Sequence, residues 1–132
     1  MNEQKFILAI CQTGENNMDL GKTGENKAVE YLDKKGYRIV RRNYRCRAGE
    51  IDVIAIDGDT LCFIEVKTRT SLRHGSPAEA VDWRKLEHIK RAASAYMGRF
   101  RHGCCSARIE VIEVLYVRNK FYVRHIKNAL AA

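Results

Sequence analysis

The chain has 132 residues, 45% of them hydrophobic, with 24 Lys and Arg against 16 Asp and Glu and a formal net charge of +8. That length sets a single domain, able to bury roughly two-thirds of its unfolded surface without covalent staples. Five cysteines, Cys11, Cys46, Cys62, Cys104 and Cys105, form an odd set with no CxxC spacing, which argues against zinc and a secreted disulfide framework and for a reduced, cytoplasmic protein.

Residues 1–17 are expected to lie apart from a domain over 18–132, as a tail or short edge strand. The apolar run from Phe6 to Cys11 is too short to cross a membrane, and it follows both Glu3 and Lys5, a poor start for a signal segment. Leu8-Ala9-Ile10-Cys11 faintly resembles a lipoprotein processing site, but Ile10 is too bulky before the cysteine. No membrane association is expected, and Met18 is an alternative start of translation.

Asp19 is expected to cap a helix reaching about Lys35, with Ala28, Val29, Tyr31 and Leu32 as its apolar stripe and Gly36 ending it. Glu25 falls in its first turns, where the helix dipole favours an acid in any case. A strand from Tyr37 to about Arg45 follows.

Next come two apolar runs that carry charges where a core should be: Gly49 to Ile56, with Glu50 and Asp52, and Leu61 to Lys67, with Glu65 and Lys67. With Gly58 as the first central residue of a type II′ turn, Asp52 falls opposite Glu65 and Glu50 opposite Lys67. If Asp57-Gly58 were the central pair, Glu50 would face Glu65. Strand alternation keeps all four charges on one face in either register, with Ile54, Ile56, Leu61 and Phe63, while Ile51, Val53, Ala55, Ile64 and Val66 take the other. Two carboxylates one cross-strand pair apart, about 5 Å between Cβ atoms, repel unless a cation lies between them. Asp52 and Glu65 are therefore candidate ligands for Mg²⁺ or Mn²⁺, which prefer oxygen donors. Lys67 is placed to orient an attacking water or to balance charge at phosphorus. The bland alternative is a Glu50–Lys67 cross-strand ion pair at a solvated edge.

Residues 69–76 read as a polar loop. Ser76, Pro77 and Glu79 then form a helix start, and Val81, Leu86, Ile89, Ala93, Tyr96, Met97 and Phe100 would bury one side of a long helix ending at Gly103. Two β-rich runs, 107–118 and 120–127, are expected to join at Asn119-Lys120. The order α-β-β-β-α-β-β defines a single mixed α/β domain, a central mixed five-stranded sheet flanked by two helices.

The basic excess is clustered, with five arginines between Tyr37 and Ala48 and a second group from Arg69 to Arg101. Such clusters favour a polyanion, and Arg42, Arg45, Arg47, Arg69, Arg73, Arg84 and Lys85 are the expected nucleic-acid contacts. A solvated basic face is the alternative. His74, His88, His102 and His125 do not pair at metal-ligand spacing, and Trp83 and Tyr96 are expected to pack.

Several motifs in order carry a family resemblance: Gly21-Lys22-Thr23-Gly24-Glu25-Asn26-Lys27-Ala28, Gly36-Tyr37, Arg42-Asn43-Tyr44, Gly49-Glu50-Ile51-Asp52-Val53-Ile54, Phe63-Ile64-Glu65-Val66-Lys67-Thr68-Arg69 and Gly75-Ser76-Pro77-Ala78-Glu79-Ala80-Val81. Over about residues 18–129 the chain closely resembles the YraN family of small bacterial proteins. That family is similar to the restriction-endonuclease-like, PD-(D/E)XK superfamily and in particular to archaeal Holliday junction resolvases. The resemblance implies a restriction-endonuclease-like fold and a catalytic set of Glu25, Asp52, Glu65 and Lys67. It also implies Mg²⁺- or Mn²⁺-dependent phosphodiester hydrolysis, with DNA, branched or damaged, as the expected substrate and RNA as the other candidate. A non-catalytic nucleic-acid-binding module on the same fold is the alternative. Resolvases work as two-fold dimers, so a homodimer is the expectation of the junction-resolving version. The chain departs from the pattern at Ile51, where the superfamily has proline, and at Glu110, within Arg108-Ile109-Glu110-Val111, where the family usually carries aspartate.

Overall fold

In chain order the elements are β1 (Gln4–Ala9), α1 (Leu20–Lys34), β2 (Arg38–Cys46), β3 (Gly49–Asp57), β4 (Thr60–Arg69), α2 (Trp83–Met97), β5 (Ser106–Val117) and β6 (Lys120–Ile126). They are taken from a computed structural model that describes residues 4–9, 19–70 and 82–129. Helix α1 starts where the Asp19 carboxylate accepts the Lys22 N–H at 3.2 Å, and the chain leaves it through Gly36, whose φ of +90° suits a residue without Cβ.

One sheet contains all six strands in the order β1-β6-β5-β4-β3-β2. Neighbours run antiparallel except β4 and β5, whose parallel pairing needs a crossover, and α2 lies within that connection. The five predicted strands thus form the mixed sheet between two helices, and β1 extends it beyond β6. A helix covers each face because neither layer can bury its apolar side alone. On one face α2 supplies Leu86, Ile89 and Tyr96 to a core with Tyr44, Ile51, Ile54, Phe63 and Val111. On the other, α1 sets Ala28, Tyr31 and Leu32 against Val53, Ala55, Ile64, Ile112 and Phe121.

Three local expectations need correction or lie elsewhere. The helix start predicted over 76–81, with Glu79 and Val81, lies outside the described residues; within them α2 begins at Trp83, its Asp82 cap accepting the Arg84 N–H at 2.9 Å. That helix stops at Met97 rather than near Gly103, with Gly98 at its end, so Phe100 leaves the buried stripe and is 44% exposed. The β5–β6 turn is centred one residue early, on Arg118-Asn119, whose φ values of +52° and +62° are those of a type I′ turn. The four described cysteines are free thiols. Among the described residues no helix is long and apolar enough to cross a membrane.

Candidate functional site

The hairpin of β3 and β4 turns at Gly58, with φ +58°, and its ladder runs from Asp57 opposite Thr60 to Val53 opposite Ile64. One further step would set Asp52 opposite Glu65, the register expected from the turn. Pairing stops there: β3 stays with β2 as far as Gly49, while β4 stays with β5 as far as Arg69. Where the two strands part, Val66 loses its ladder partner, and Asp52 Oδ2 accepts its N–H at 2.8 Å.

The expectation that Glu50, Asp52, Glu65 and Lys67 share one face is corrected at the same point. Ile51 packs on the α2 face and Val53 on the α1 face, so the two neighbours of Asp52 point opposite ways. Across β2, Asn43 has φ +53°, and the rung it would share with Asp52 is missing between Arg42↔Val53 and Tyr44↔Ile51. An irregular residue in an antiparallel pair re-aims the side chains beyond it. Glu50, in register with Arg45 of β2, lies 3.2 Å from its Nε and is well exposed.

Glu65 is the buried member of the site, its side chain 2% exposed. The Lys85 ammonium, reaching from α2 and 59% exposed, lies 2.5 Å from Glu65 Oε1. Apart from this ion pair, Oε1 is buried with no hydrogen-bond donor among the described residues. The contact with Glu65 holds the Lys85 pKa above its ordinary value despite burial, and Asp52 and Glu50 add to the effect. Burial pushes the Asp52 pKa up, as do the charges of Glu65 and Glu25, against the Val66 hydrogen bond and the Lys85 charge.

Glu25 reaches the same place from α1. It lines a cleft of about 470 Å³ with Asp52, Val66, Thr68 and Arg69. Helix α1 can come this close because residue 24 is glycine: a Cβ there would lie 2.0 Å from Thr68 Oγ1. The Glu25 carboxylate accepts from Arg42 at 3.2 Å and from Asn43 at 3.1 Å, and Arg42 also donates to Asn26 Oδ1 at 2.8 Å.

Lys67 lies in register with Glu113 of β5. Glu113 is buried, and its carboxylate is 2.7 Å from Arg69 Nε. Burial holds its pKa up although Arg69, Arg124 and Lys67 all pull it down. Of the expected nucleic-acid contacts, Arg42, Arg45, Arg69 and Lys85 each rest on a carboxylate. Arg47 and Arg84 are exposed, and Arg73 lies outside the described residues. Trp83 is 69% exposed, contrary to the expectation that it packs, whereas Tyr96 is buried. Sequence reasoning passed over Glu113 and gave Lys85 no contact with Glu65. The signal for Glu113 was available, an acid inside an apolar strand run, the same signal that singled out Glu65.

Among the described residues, no three of His, Cys, Asp and Glu converge as a ready metal cage. Glu25, held by Arg42 and Asn43, is not free to complete one. Asp52 and Glu65 nevertheless fit a hard divalent cation. Their donors are oxygens, and a cationic side chain already sits against a buried Glu65 oxygen that has no other donor among the described residues.

Fold and site together define a small mixed α/β domain whose sheet opens beside a carboxylate-lined cleft. The chain belongs to the uncharacterised protein family UPF0102, whose model matches residues 24–114. It is 47% identical over 116 residues to a UPF0102 protein of Caldicellulosiruptor saccharolyticus, covering 86% of this chain and 98% of that one. It is 45% identical over 115 residues to a UPF0102 protein of Alkaliphilus oremlandii, with the same shares of 86% and 98%. A UPF0102 protein of Chlorobium phaeobacteroides is 47% identical over 117 residues, 84% of this chain and 93% of its own.

Proposed function

We propose that this protein is a divalent-metal-dependent phosphodiester hydrolase acting on DNA, branched or damaged DNA included. The observation that carries the reading is the crowding of Asp52 and Glu65 where β3 and β4 part. One acid is buried with an exposed lysine as its counter-charge, and the other has its pKa raised by burial and by neighbouring carboxylates. Two acids gathered this closely repel each other, and a bound cation would relieve that repulsion.

Asp52 and Glu65 would hold Mg²⁺ or Mn²⁺. When bound, the cation polarises the phosphate and lowers the pKa of a nearby water. The Val66 N–H keeps the Asp52 carboxylate from swinging away. Lys67, two residues from Glu65 on β4, supplies positive charge where negative charge grows at phosphorus. Glu25 shapes the cleft wall opposite Val66 and Thr68. The exposed Arg47 and Arg84 contact backbone phosphates, a salt-sensitive attraction that carries no sequence preference. RNA would satisfy the same contacts.

A second reading, a nucleic-acid-binding module without catalysis, draws on the Arg42 and Asn43 hydrogen bonds that occupy Glu25. The test is cleavage of labelled single-stranded, duplex, flap and four-way-junction DNA with Mg²⁺ or Mn²⁺, comparing wild type with the double variant Asp52→Asn, Glu65→Gln. Metal-dependent product from wild type alone supports the hydrolase and names its substrate. Binding without cleavage on every substrate and with both metals establishes the module instead. Sedimentation at high protein concentration checks the junction-resolving version, which needs a two-fold dimer.

A further inference from the structure

Lys85 occupies an unusual position for a surface lysine. It stands on the third residue of α2, twenty positions along the chain from Glu65, and its ammonium reaches the buried carboxylate on β4. Its side chain remains 59% exposed while that of Glu65 is 2% exposed, so one partner can leave for solvent and the other cannot. The ion pair is short, and an exposed lysine loses little on release because water and salt replace the contact. The neighbouring Arg84 is exposed, so the same end of α2 already presents positive charge to solvent.

We infer that Lys85 is an exchangeable counter-ion: in the metal-free protein it neutralises Glu65, and when a divalent cation takes that carboxylate Lys85 is released to bind a nucleic-acid phosphate. This rests on the proposed reading of Asp52 and Glu65 as metal ligands, and it adds a coupling between metal and nucleic acid. A positive ammonium and a divalent cation cannot both lie within contact of Glu65 Oε1 without strong repulsion. Metal binding therefore makes one more phosphate contact available. By thermodynamic linkage, bound nucleic acid must tighten the metal by the same factor.

Two measurements on the full chain test the exchange. The first is calorimetric titration with Mn²⁺ of wild type, Lys85→Met and Asp52→Asn. The expected result is binding that Lys85→Met tightens by about fivefold or more and Asp52→Asn weakens. The second is the salt dependence of affinity for a duplex DNA in wild type and Lys85→Met, with EDTA and with Ca²⁺. With EDTA the two proteins should share one slope, because Lys85 is held by Glu65. With Ca²⁺ the wild-type slope should exceed that of the variant by about 0.9, one phosphate contact. Comparing the two proteins under the same ion cancels the effect of Ca²⁺ on the DNA itself.

If Mn²⁺ binds equally well or less tightly to Lys85→Met, the exchange is overturned while the metal site stands. If the variant binds Mn²⁺ more tightly but the slope difference is the same with and without Ca²⁺, Lys85 is only a repelling charge and the release to phosphate is wrong. Absence of Mn²⁺ binding in all three proteins overturns the metal-site reading together with the exchange. Absence of DNA affinity overturns the nucleic-acid half of both.

Discussion

Glu110 on β5 and Glu65 on the adjacent β4 are both buried acids, and the fold surrounds them in opposite ways. Glu110 Oε1 accepts from Tyr37 at 3.0 Å and bonds His125 Nε2; its Oε2 accepts from Arg108 Nε at 2.6 Å. Arg108 continues to Asp57 at 2.5 Å, and Tyr31 bonds the second nitrogen of His125 at 3.0 Å. Glu65 Oε1 has the exposed Lys85 ammonium beside it and no other donor among the described residues. A fully hydrogen-bonded buried network holds strands together, whereas an acid balanced by one exposed lysine depends on a partner that can leave for solvent. The contrast separates an acid built into the fold from the acid that the proposed function assigns to a metal.

The widest separation should come from removing each acid in turn. Glu110→Ala strands Arg108 and His125 and should lower stability by about 3 kcal/mol or more. Glu65→Gln, which leaves Lys85 in solvent, should change it by less than about 1 kcal/mol while abolishing the proposed metal-dependent cleavage. Urea unfolding of both variants checks this, and equal losses would erase the distinction between the two centres.

Next in size is Gly24→Ala. The added Cβ meets Thr68, a stiff β-branched residue, and should lift α1 from β4 at a cost of about 1–3 kcal/mol. Adding Thr68→Ala should restore most of the loss. No restoration would mean that the close approach of α1 is not what the glycine permits.

The two centres should also titrate in opposite senses. Burial pushes the Glu110 pKa up, but the His125 hydrogen bond and charge, the Cys62 hydrogen bond and the Arg108 charge outweigh it and hold it low. Its stabilising contribution is therefore present above the ordinary glutamate range and lost as pH falls through the lowered value. Asp52 has a raised pKa, so the folded state binds its proton more tightly than the unfolded state, and wild type gains on Asp52→Asn as pH falls. Stability against pH for Asp52→Asn and Glu110→Gln, each subtracted from wild type, should slope in opposite directions. Parallel slopes would refute the assignment.

The smallest effect is expected at Glu50→Gln, because Glu50 and Arg45 form an exposed pair, 65% and 75% accessible. The change should be under about 1 kcal/mol and should vanish in high salt. A larger loss in thermal unfolding would show that Glu50 belongs to the site after all.

Much of this was legible in the chain itself. The Asp19 cap, the Gly36 stop and the Gly58 turn act over a few residues, so α1 and the β3–β4 register could be read from local chemistry. Glu65 could be singled out as a charge inside an apolar strand. The parity break at Asp52 could not, because it depends on Asn43 of β2 adopting a left-handed conformation across the rung. Nor could the true end of α2, because Met97 and Gly103 are equally plausible stops until the Tyr96–Phe100–His102 ring contacts are known.

Sequence alone therefore determined the order of elements from α1 to β6, five of the six strands of the sheet between two helices, and the residues in which charge intrudes on the core. Caps, turns and alternation are short-range and need no partner. Tertiary structure decided what each charge meets: Tyr37 reaches Glu110 across 73 positions, and Arg42 reaches Glu25 across 17. Such partners are chosen when two helices settle on a twisted sheet and its strands part, a three-dimensional event that no run of neighbouring residues encodes.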